Sequence, residues 1–257
     1  MKHLLDFTVV ESQFVNKSNF LLKLSSPSMD FSSILPGQFV EIKVDKSPTT
    51  FLRRPISIHF VDIARKELWL LIQIVGDGTQ QLSTLAKGDT VSLILPLGNG
   101  FSLPQKKSRT LLIGGGVGIA PLLYLGKALQ ESGSEVTFLL GARTSQDFPD
   151  LSFFAPYGNV LVTTEDGSAG QRGFVTNHTV LQQNEFDAIY TCGPKPMMVA
   201  VARYAKEHDI FCEVSLENKM ACGFGVCLCC VEKTVEGHKC VCTDGPVFNI
   251  EKLEWSI

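Results

Sequence analysis

The chain has 257 residues, of which 44% are hydrophobic and 19% are charged, proportions typical of a folded globular protein. Its 23 Lys and Arg residues against 26 Asp and Glu residues give a net charge of −3, which excludes the basic excess of proteins that bind nucleic acid or anionic membranes. The length allows two or more domains, each with its own core.

The N-terminal segment MKHLLDFTVVESQF carries Asp6 and Glu11 where a secretory signal needs an unbroken apolar run. The longest uncharged stretch, residues 110–126, has 17 residues, and a membrane-spanning helix needs ~20. We therefore expect a cytoplasmic protein that does not cross a membrane. Thiols stay reduced in that compartment, so clustered cysteines are more often metal ligands than disulfides.

The first hundred residues have the pattern of short strands separated by turns. Apolar runs at residues 39–44, 68–75 and 91–95 alternate with turn-forming segments such as SPSMD and PLGNG. Strands of this length and spacing predict a small antiparallel β-barrel. We assign the barrel to residues 1–104.

From residue 108 onward, buried strands alternate with helical segments. RTLLIGGG is a strand pattern that ends in a glycine turn, and IAPLLYLGKALQESG is a helix pattern with Pro121 in its first turn. EVTFLLGA, NVLVTTEDG and DAIYTCGP are further short strands, and the last precedes the helical KPMMVAVARYAKEHD. This alternation predicts a doubly wound parallel α/β sheet at residues 105–212. With the barrel, it makes an α+β multidomain chain.

Four glycines lie at the turn between the first strand and the first helix of this sheet: Gly114, Gly115, Gly116 and Gly118. Glycines let the backbone approach a pyrophosphate closely, and a helix N-terminus adds free N–H donors, so a dinucleotide is the expected ligand. The spacing departs from the strict G-x-G-x-x-G pattern, and Arg143 follows the second strand where an acidic residue would bind a ribose. A glycine turn without a ligand is the alternative.

Six of the eight cysteines lie between residues 220 and 242. Cys222, Cys227 and Cys230 form C-x4-C-x2-C, which with one distant cysteine is the plant-type arrangement for a [2Fe–2S] cluster. Gly223 and Gly225 fall in the first gap, where the chain must curl tightly around the cluster. The segment therefore predicts a small C-terminal [2Fe–2S] lobe at residues 213–257.

The spacing alone leaves two questions about this lobe open. The fourth ligand is Cys240 or Cys242, which the spacing does not separate. A tetrahedral zinc site built from Cys227, Cys230, Cys240 and Cys242 is the alternative to a cluster, although its second pair would be C-x-C and the glycine-rich gap would have no purpose.

Eight motifs, each weak alone, occur in a specific order along the chain. They are PGQF (36–39), RRPISI (53–58), GDGT (76–79), PLGNGF (96–101), GGGVGIAPL (114–122), CGP (192–194), the C-x4-C-x2-C segment and CTDGPVF (242–248). In this order they resemble the ferredoxin–NADP reductase-type flavoproteins, and within them the branch of electron-transfer subunits of NAD-linked dihydroorotate dehydrogenase. The resemblance covers nearly the whole chain.

The resemblance implies that FAD binds at the edge of the barrel. Arg54 would pair with the flavin pyrophosphate, Ser57 would lie near N5 of the flavin ring, and Ile56 stands where many relatives have a stacking tyrosine. Gly78 and Thr79 would start a short helix at the FAD phosphate, with Thr79 as its cap. The implied FAD residues are Arg54, Pro55, Ile56, Ser57, Leu71, Ile72, Gln73, Gly78 and Thr79.

The resemblance also assigns the nucleotide and cluster residues. It implies NAD at Gly114, Gly115, Gly116, Gly118, Cys192 and Gly193, with Cys192 on the nicotinamide side. It favours Cys242 as the fourth cluster ligand, beside Cys222, Cys227 and Cys230. No side chain is expected to act as a general acid or base, because the redox chemistry belongs to the cofactors.

The implied partner is an FMN-containing catalytic dihydroorotate dehydrogenase subunit, in a heterotetramer of two subunits of each kind that serves pyrimidine biosynthesis. Related subunits of sulfide dehydrogenase, glutamate synthase or hydrogenase complexes share the reductase core and a cysteine-rich tail. A zinc-stapled binding module that transfers no electrons is a further alternative.

Overall fold

The structure is a computed structural model that describes residues 2–183 and 185–256. Its N-terminal strands are β1 His3–Phe14, β2 Asn19–Ser25, β3 Phe39–Ile42, β4 Arg54–Asp62, β5 Glu67–Gln73 and β6 Thr90–Leu97, with the short helix α1 Asp77–Leu82 before β6. They close into an antiparallel barrel in the order β1-β2-β5-β4-β3-β6, because β6 pairs back to β1. Buried residues alternate along β6, which is the period of a strand with one face in the core. The predicted barrel is confirmed.

A seven-stranded sheet follows the barrel. Its elements are β7 Arg109–Gly115, α2 Leu122–Glu131, β8 Glu135–Ala142, β9 Asn159–Thr164, β10 Gln171–Arg172, β11 Ala188–Cys192, α3 Lys195–Glu207 and β12 Phe211–Ser215, and the chain continues with β13 Val231–Thr234, β14 Gly237–Cys240, α4 Val241–Asp244 and β15 Val247–Asn249. The strand order is β10-β9-β8-β7-β11-β12-β15, and all neighbours are parallel except β12 and β15. The predicted parallel sheet is confirmed.

Helices α2 and α3 cover opposite faces of this sheet. Leu112 of β7 packs in one core with α2 and the barrel, whereas its neighbours Leu111 and Ile113 pack in the other core with α3. The remaining connections contain one-turn 3₁₀ helices: Phe31–Ser33, Gly116–Ile119, Ser145–Asp147, Leu151–Phe153, Ala155–Tyr157, Val175–Asn177, Thr179–Gln183 and Ile250–Lys252. Within residues 2–183 and 185–256, no helix is long and apolar enough to cross a membrane.

The C-terminal segment is tied into the sheet. β15 pairs antiparallel with β12, and its Phe248 joins the core that contains α3. β13 and β14 form a separate hairpin beyond it. The domain limits at residues 104 and 212 stay a prediction, and β15 shows that the last segment shares the second core.

His59 of β4 joins the barrel to the second sheet. Its ring is 2% exposed and packs near Phe154, and its Nδ1 lies 2.7 Å from the Ala120 carbonyl oxygen, which accepts the N–H. Tyr124 of α2 donates in the other direction, to the Ile34 carbonyl at 3.1 Å. Burial lowers the pKa of His59 from 6.5 to about 4, although the bond to Ala120 raises it in part.

We predict that His59 makes the free energy of unfolding fall in mild acid. The unfolded chain takes up the proton near pH 6.5 and the folded chain only near pH 4, so the unfolded state binds more protons in that window and stability falls as the pH falls. The loss is ~3 kcal/mol by pH 4. In His59→Phe, urea unfolding measured across this window should show a shallower decline than wild type. Parallel curves for the two proteins would contradict the prediction.

Candidate cofactor sites

The carboxyl ends of β7 and β11 form a crevice. From β7 the chain moves outward through β8 and β9 to β10, and it then returns to β11 on the other side of β7. A reversal of this kind opens the crevice where doubly wound sheets bind ligands. The predicted nucleotide residues meet there: Gly114, Gly115, Gly116 and Gly118 from the β7 side, and Cys192 and Gly193 from β11.

Close packing explains why this turn is glycine-rich. A Cβ on Gly118 would lie 2.5 Å from the Cys192 carbonyl oxygen and 2.5 Å from the Gly193 Cα, so only glycine fits. Gly116 instead has φ +58° with nothing within 4 Å of a Cβ, and it lies in the turn just before α2. The turn thus combines accessible backbone with a helix N-terminus, which suits a pyrophosphate.

Cys192 lies at the base of this crevice, fully buried. Its Sγ is 3.7 Å from Glu217 Oε1, to which the thiol donates. Burial raises the pKa of both groups, so the thiol stays protonated. Glu217 was missed by the sequence reasoning. Its position two residues beyond β12 was the available signal, because parallel strands bring their carboxyl ends to one edge.

Arg54, the first residue of β4, lies against the first turn of α1. A Cβ on Gly78 would be 2.7 Å from Arg54 Nε, so the glycine makes room for the guanidinium. Nη1 donates to the carbonyls of Leu52, at 2.9 Å, and Arg53, at 3.2 Å. The remaining donors of the guanidinium fork are in position to bind an anion at this edge.

The rest of the predicted flavin residues divide into exposed and buried ones. Pro55, Ile56 and Ser57 are half-buried and form an accessible strip along β4 before the buried Ile58. On β5, Leu71 and Ile72 belong to the barrel core, and Gln73 is partly exposed at the strand end.

Thr79 hydrogen-bonds to the backbone just before α1. The helix begins at Asp77 with Gly76 as its N-cap, so Thr79 is its third residue. The Thr79 hydroxyl donates to the Gly76 carbonyl at 3.0 Å and accepts the Val75 N–H at 2.9 Å. Thr79 therefore stabilises the turn, although it does not occupy the cap position expected from the sequence.

Backbone N–H groups point at cysteine sulfurs in the loop between residues 222 and 230. Gly225 donates to Cys242 Sγ at 3.1 Å, and Val226 donates to Cys222 Sγ at 3.4 Å. Positive φ values of 77° at Gly223 and 87° at Gly225 produce this curl. Burial raises the pKa of Cys222, but donation from the backbone N–H groups of Phe224, Cys227 and Val226 outweighs it and brings the value to about 6, which favours a thiolate.

The predicted ligand thiols lie in two pairs. Cys222 and Cys227 lie close enough for the Cys227 side chain to lower the pKa of Cys222, and the backbone N–H of Cys242 donates to the Cys230 sulfur at 3.4 Å. Among the residues that the structure describes, three or more His, Cys, Asp or Glu side chains do not converge on a single metal-ion position. Two thiolate pairs are the donor set of a two-iron cluster.

Cys240 is the competitor for the fourth position. It also lies near Cys230, and burial raises the pKa of both Cys240 and Cys242, the latter to about 12, so only their contacts separate the two. Cys242 instead is fully buried and accepts the Gly225 N–H of the loop. The geometry favours Cys242.

The cysteine loop sits on the barrel and exposes an apolar surface. The backbone N–H of Asn99, just beyond β6, donates to the Gly245 carbonyl at 2.6 Å, which brings the Cys242 segment against the barrel. On the outer side, the exposed fractions are 45% for Phe224, 74% for Val226 and 64% for Leu228. We call these three residues the loop apolar surface. Leu228 has φ 59°, a left-handed conformation that costs a non-glycine residue ~1 to 2 kcal/mol.

Two protein-family models match the chain. Residues 217–254 match the iron-sulfur cluster binding domain of dihydroorotate dehydrogenase B, and residues 112–203 match the oxidoreductase NAD-binding domain. The first covers the paired cysteines and the second covers the glycine crevice.

Full-length comparisons agree with these matches. The chain is 39% identical over 252 residues to a Shouchella clausii protein, with 96% of each chain covered, and 42% identical over 226 residues to one from Listeria monocytogenes, with 85% and 87% covered. Both relatives are named dihydroorotate dehydrogenase B (NAD(+)), electron transfer subunit. Among solved structures, an NADH-dependent reduced ferredoxin-NADP oxidoreductase is similar with a TM-score of 0.86 and 32% identity, over 97% of this chain and 90% of the other.

Proposed function

The chain belongs to the family of dihydroorotate dehydrogenase B electron transfer subunits, and from this membership we propose its residue-level function. It carries electrons between a catalytic dihydroorotate dehydrogenase subunit and NAD through a [2Fe–2S] cluster and FAD, in pyrimidine biosynthesis. We also propose which residues hold FAD, NAD and the cluster, and which surface contacts the catalytic subunit.

The observation that carries the proposal is the pairing of thiols inside the segment that matches the iron–sulfur family. Cys222 with Cys227, and Cys230 with Cys242, supply two thiolates for each iron. The inward N–H groups of Gly225 and Val226 fit the negative charge that such a cluster places on its sulfurs. A tetrahedral zinc site, which is the alternative from the sequence, would give the glycine-rich turn at Gly223 and Gly225 no role.

The chain's own residues position the groups that react. When bound, FAD and NAD exchange a hydride and the cluster passes electrons singly. The glycine turn at Gly116 and the start of α2 hold the NAD pyrophosphate, and Gly118 keeps the crevice narrow. Arg54 holds the FAD pyrophosphate by its guanidinium fork. Cys192, whose buried thiol stays protonated, would lie on the nicotinamide side of a bound NAD.

The partner contacts the chain at the cysteine loop. The loop apolar surface of Phe224, Val226 and Leu228 lies on the loop that carries Cys222, Cys227 and Cys230, and large exposed apolar patches mark protein interfaces. We propose that this surface contacts an FMN-containing catalytic subunit, and that the complex is a heterotetramer with two subunits of each kind. We also propose a cytoplasmic location, because the cysteines that would ligate the cluster are not joined in disulfides.

The other complexes that the sequence leaves possible are those of sulfide dehydrogenase, glutamate synthase and hydrogenase. The family match at residues 217–254 names dihydroorotate dehydrogenase B, and the relatives at 39% and 42% identity carry the same name. These findings favour the dihydroorotate complex over the other three.

The function is tested by reconstitution. The tagged chain is purified anaerobically with the subunit that accompanies it in its own cells, and formation of NADH from dihydroorotate and NAD⁺ is followed. We expect NADH only when both subunits are present, with FMN in the companion. A companion without FMN, or one that gives no dihydroorotate-dependent NADH with this chain, would contradict the proposal.

We predict that Arg54→Ala weakens FAD binding by ~1.5 to 3 kcal/mol, roughly 10- to 150-fold in Kd, because a charge-assisted hydrogen bond to the pyrophosphate is lost. FAD retention during gel filtration and flavin fluorescence titration measure the change. Arg65→Ala is the matched control, since that side chain is 70% exposed beside Asp62. Equal FAD retention in the two variants would refute the role of Arg54.

We predict that Cys242→Ser loses most of its iron whereas Cys240→Ser keeps it. Of these two candidate ligands, Cys242 is the one whose sulfur accepts an N–H from the 222–230 loop within the described residues, from Gly225 at 3.1 Å. Iron and labile-sulfide analysis of the two variants, with FAD content as a measure of intact folding, decides between them. Iron loss in Cys240→Ser with retention in Cys242→Ser would identify Cys240 as the fourth ligand.

A further inference from the structure

Glu41 is a buried acid that the functions above do not use. It lies in the middle of β3 with an exposed fraction of 0%, and neither carboxylate oxygen has a hydrogen-bond partner within the described residues. An unpaired carboxylate in the interior costs several kcal/mol, so a residue of this kind needs an explanation.

The Glu41 side chain points at the cysteine loop. A Cβ on Gly223 would lie 2.6 Å from Glu41 Cγ and 2.9 Å from Oε1, so the carboxylate packs directly against the glycine backbone. Gly223 is the neighbour of Cys222 and has φ +77°. Any side chain at position 223 would push the loop and the carboxylate apart.

Glu41 also borders the flavin strand. Its Cα pairs with Pro55 of β4 in the barrel register, one residue from Arg54. Arg53 links β3 to β6 beside Glu41, because its Nη1 donates to the Glu41 backbone carbonyl at 3.3 Å and to the Ser92 carbonyl at 2.8 Å. Glu41 thus stands between the strand that holds the proposed flavin and the loop that holds the proposed cluster.

Burial and neighbouring charges shift the pKa of the Glu41 carboxyl. Burial raises the pKa of Glu41 to about 7, Arg53 lowers it in part, and the Cys222 thiolate raises it. Because the Glu41 carboxylate packs against Gly223, the residue after Cys222, its charge would lie close to a cluster that Cys222 ligates. Charges interact more strongly in the interior than in water, because no solvent screens them.

We propose that the Glu41 carboxylate, packed against the Gly223 backbone, lowers the reduction potential of the cluster when it is ionised. The proposal rests on the proposed function, since it requires that Cys222 ligates a [2Fe–2S] cluster. Reduction adds one negative charge to the cluster, so a neighbouring carboxylate opposes it, and net charge is one of the factors that set such potentials. Gly223 serves this role by admitting the carboxylate where a Cβ would exclude it.

The test is Glu41→Gln, which replaces the carboxylate with a neutral amide of the same shape. In the purified complex at about pH 8.5, above the raised pKa, the cluster potential is read from its EPR signal during reductive titration. We expect wild-type iron content and a potential shifted upward, by about tenfold in the equilibrium constant for reduction, or ~59 mV for one electron. Glu41→Asp keeps the charge and should restore most of the wild-type potential.

Glu213→Gln is the matched control. It removes another buried acid, 7% exposed, whose carboxylate accepts hydrogen bonds from Ser102 rather than from the cysteine loop. Its cluster potential should equal that of wild type.

Three results would overturn the proposal: a wild-type potential in Glu41→Gln, an equal shift in Glu41→Asp, or failure of Glu41→Gln to hold the cluster. The last would assign Glu41 to loop packing, since a change of charge alone leaves assembly intact. Absence of iron from the wild-type protein would instead refute the proposed function, so the two failures are distinguishable.

Discussion

The inward donation of backbone N–H groups to cysteine sulfurs is the interaction on which the C-terminal part depends. Gly225 and Val226 donate to the sulfurs of Cys242 and Cys222 at 3.1 and 3.4 Å. Such donors stabilise thiolates, and thiolates are what a metal cluster needs. The left-handed backbone at Gly223 and Gly225 is therefore a condition for the site.

The three proposed sites lie on strands of the barrel and of the parallel sheet. β4 carries the flavin strip, its neighbour β3 carries Glu41 against the cysteine loop, and the β7–β11 crevice holds the nucleotide turn. β15 anchors the cysteine segment by pairing with β12, which is itself the neighbour of β11. The proposed cluster site therefore adjoins elements of both other proposed sites, because β3 pairs with β4 and β12 pairs with β11.

The sequence predicted what is encoded locally and missed what depends on distant contacts. Strand alternation and the glycine turn indicated the barrel and the parallel sheet, and C-x4-C-x2-C spacing indicated a cluster site at Cys222, Cys227 and Cys230. Glu217 beside Cys192, and Glu41 beside Gly223, are contacts between separate strands or loops that no local period reports. The preference for Cys242 over Cys240 likewise depends on one N–H from Gly225. Pairing of β15 with β12 was missed for the same reason.

Elemental analysis with a visible spectrum of the anaerobically purified protein tests the central claim most directly. The account predicts two irons, two labile sulfides and one FAD per chain, with cluster absorbance that reductant bleaches. One zinc per chain with no iron or sulfide, in protein that still binds FAD, would contradict it.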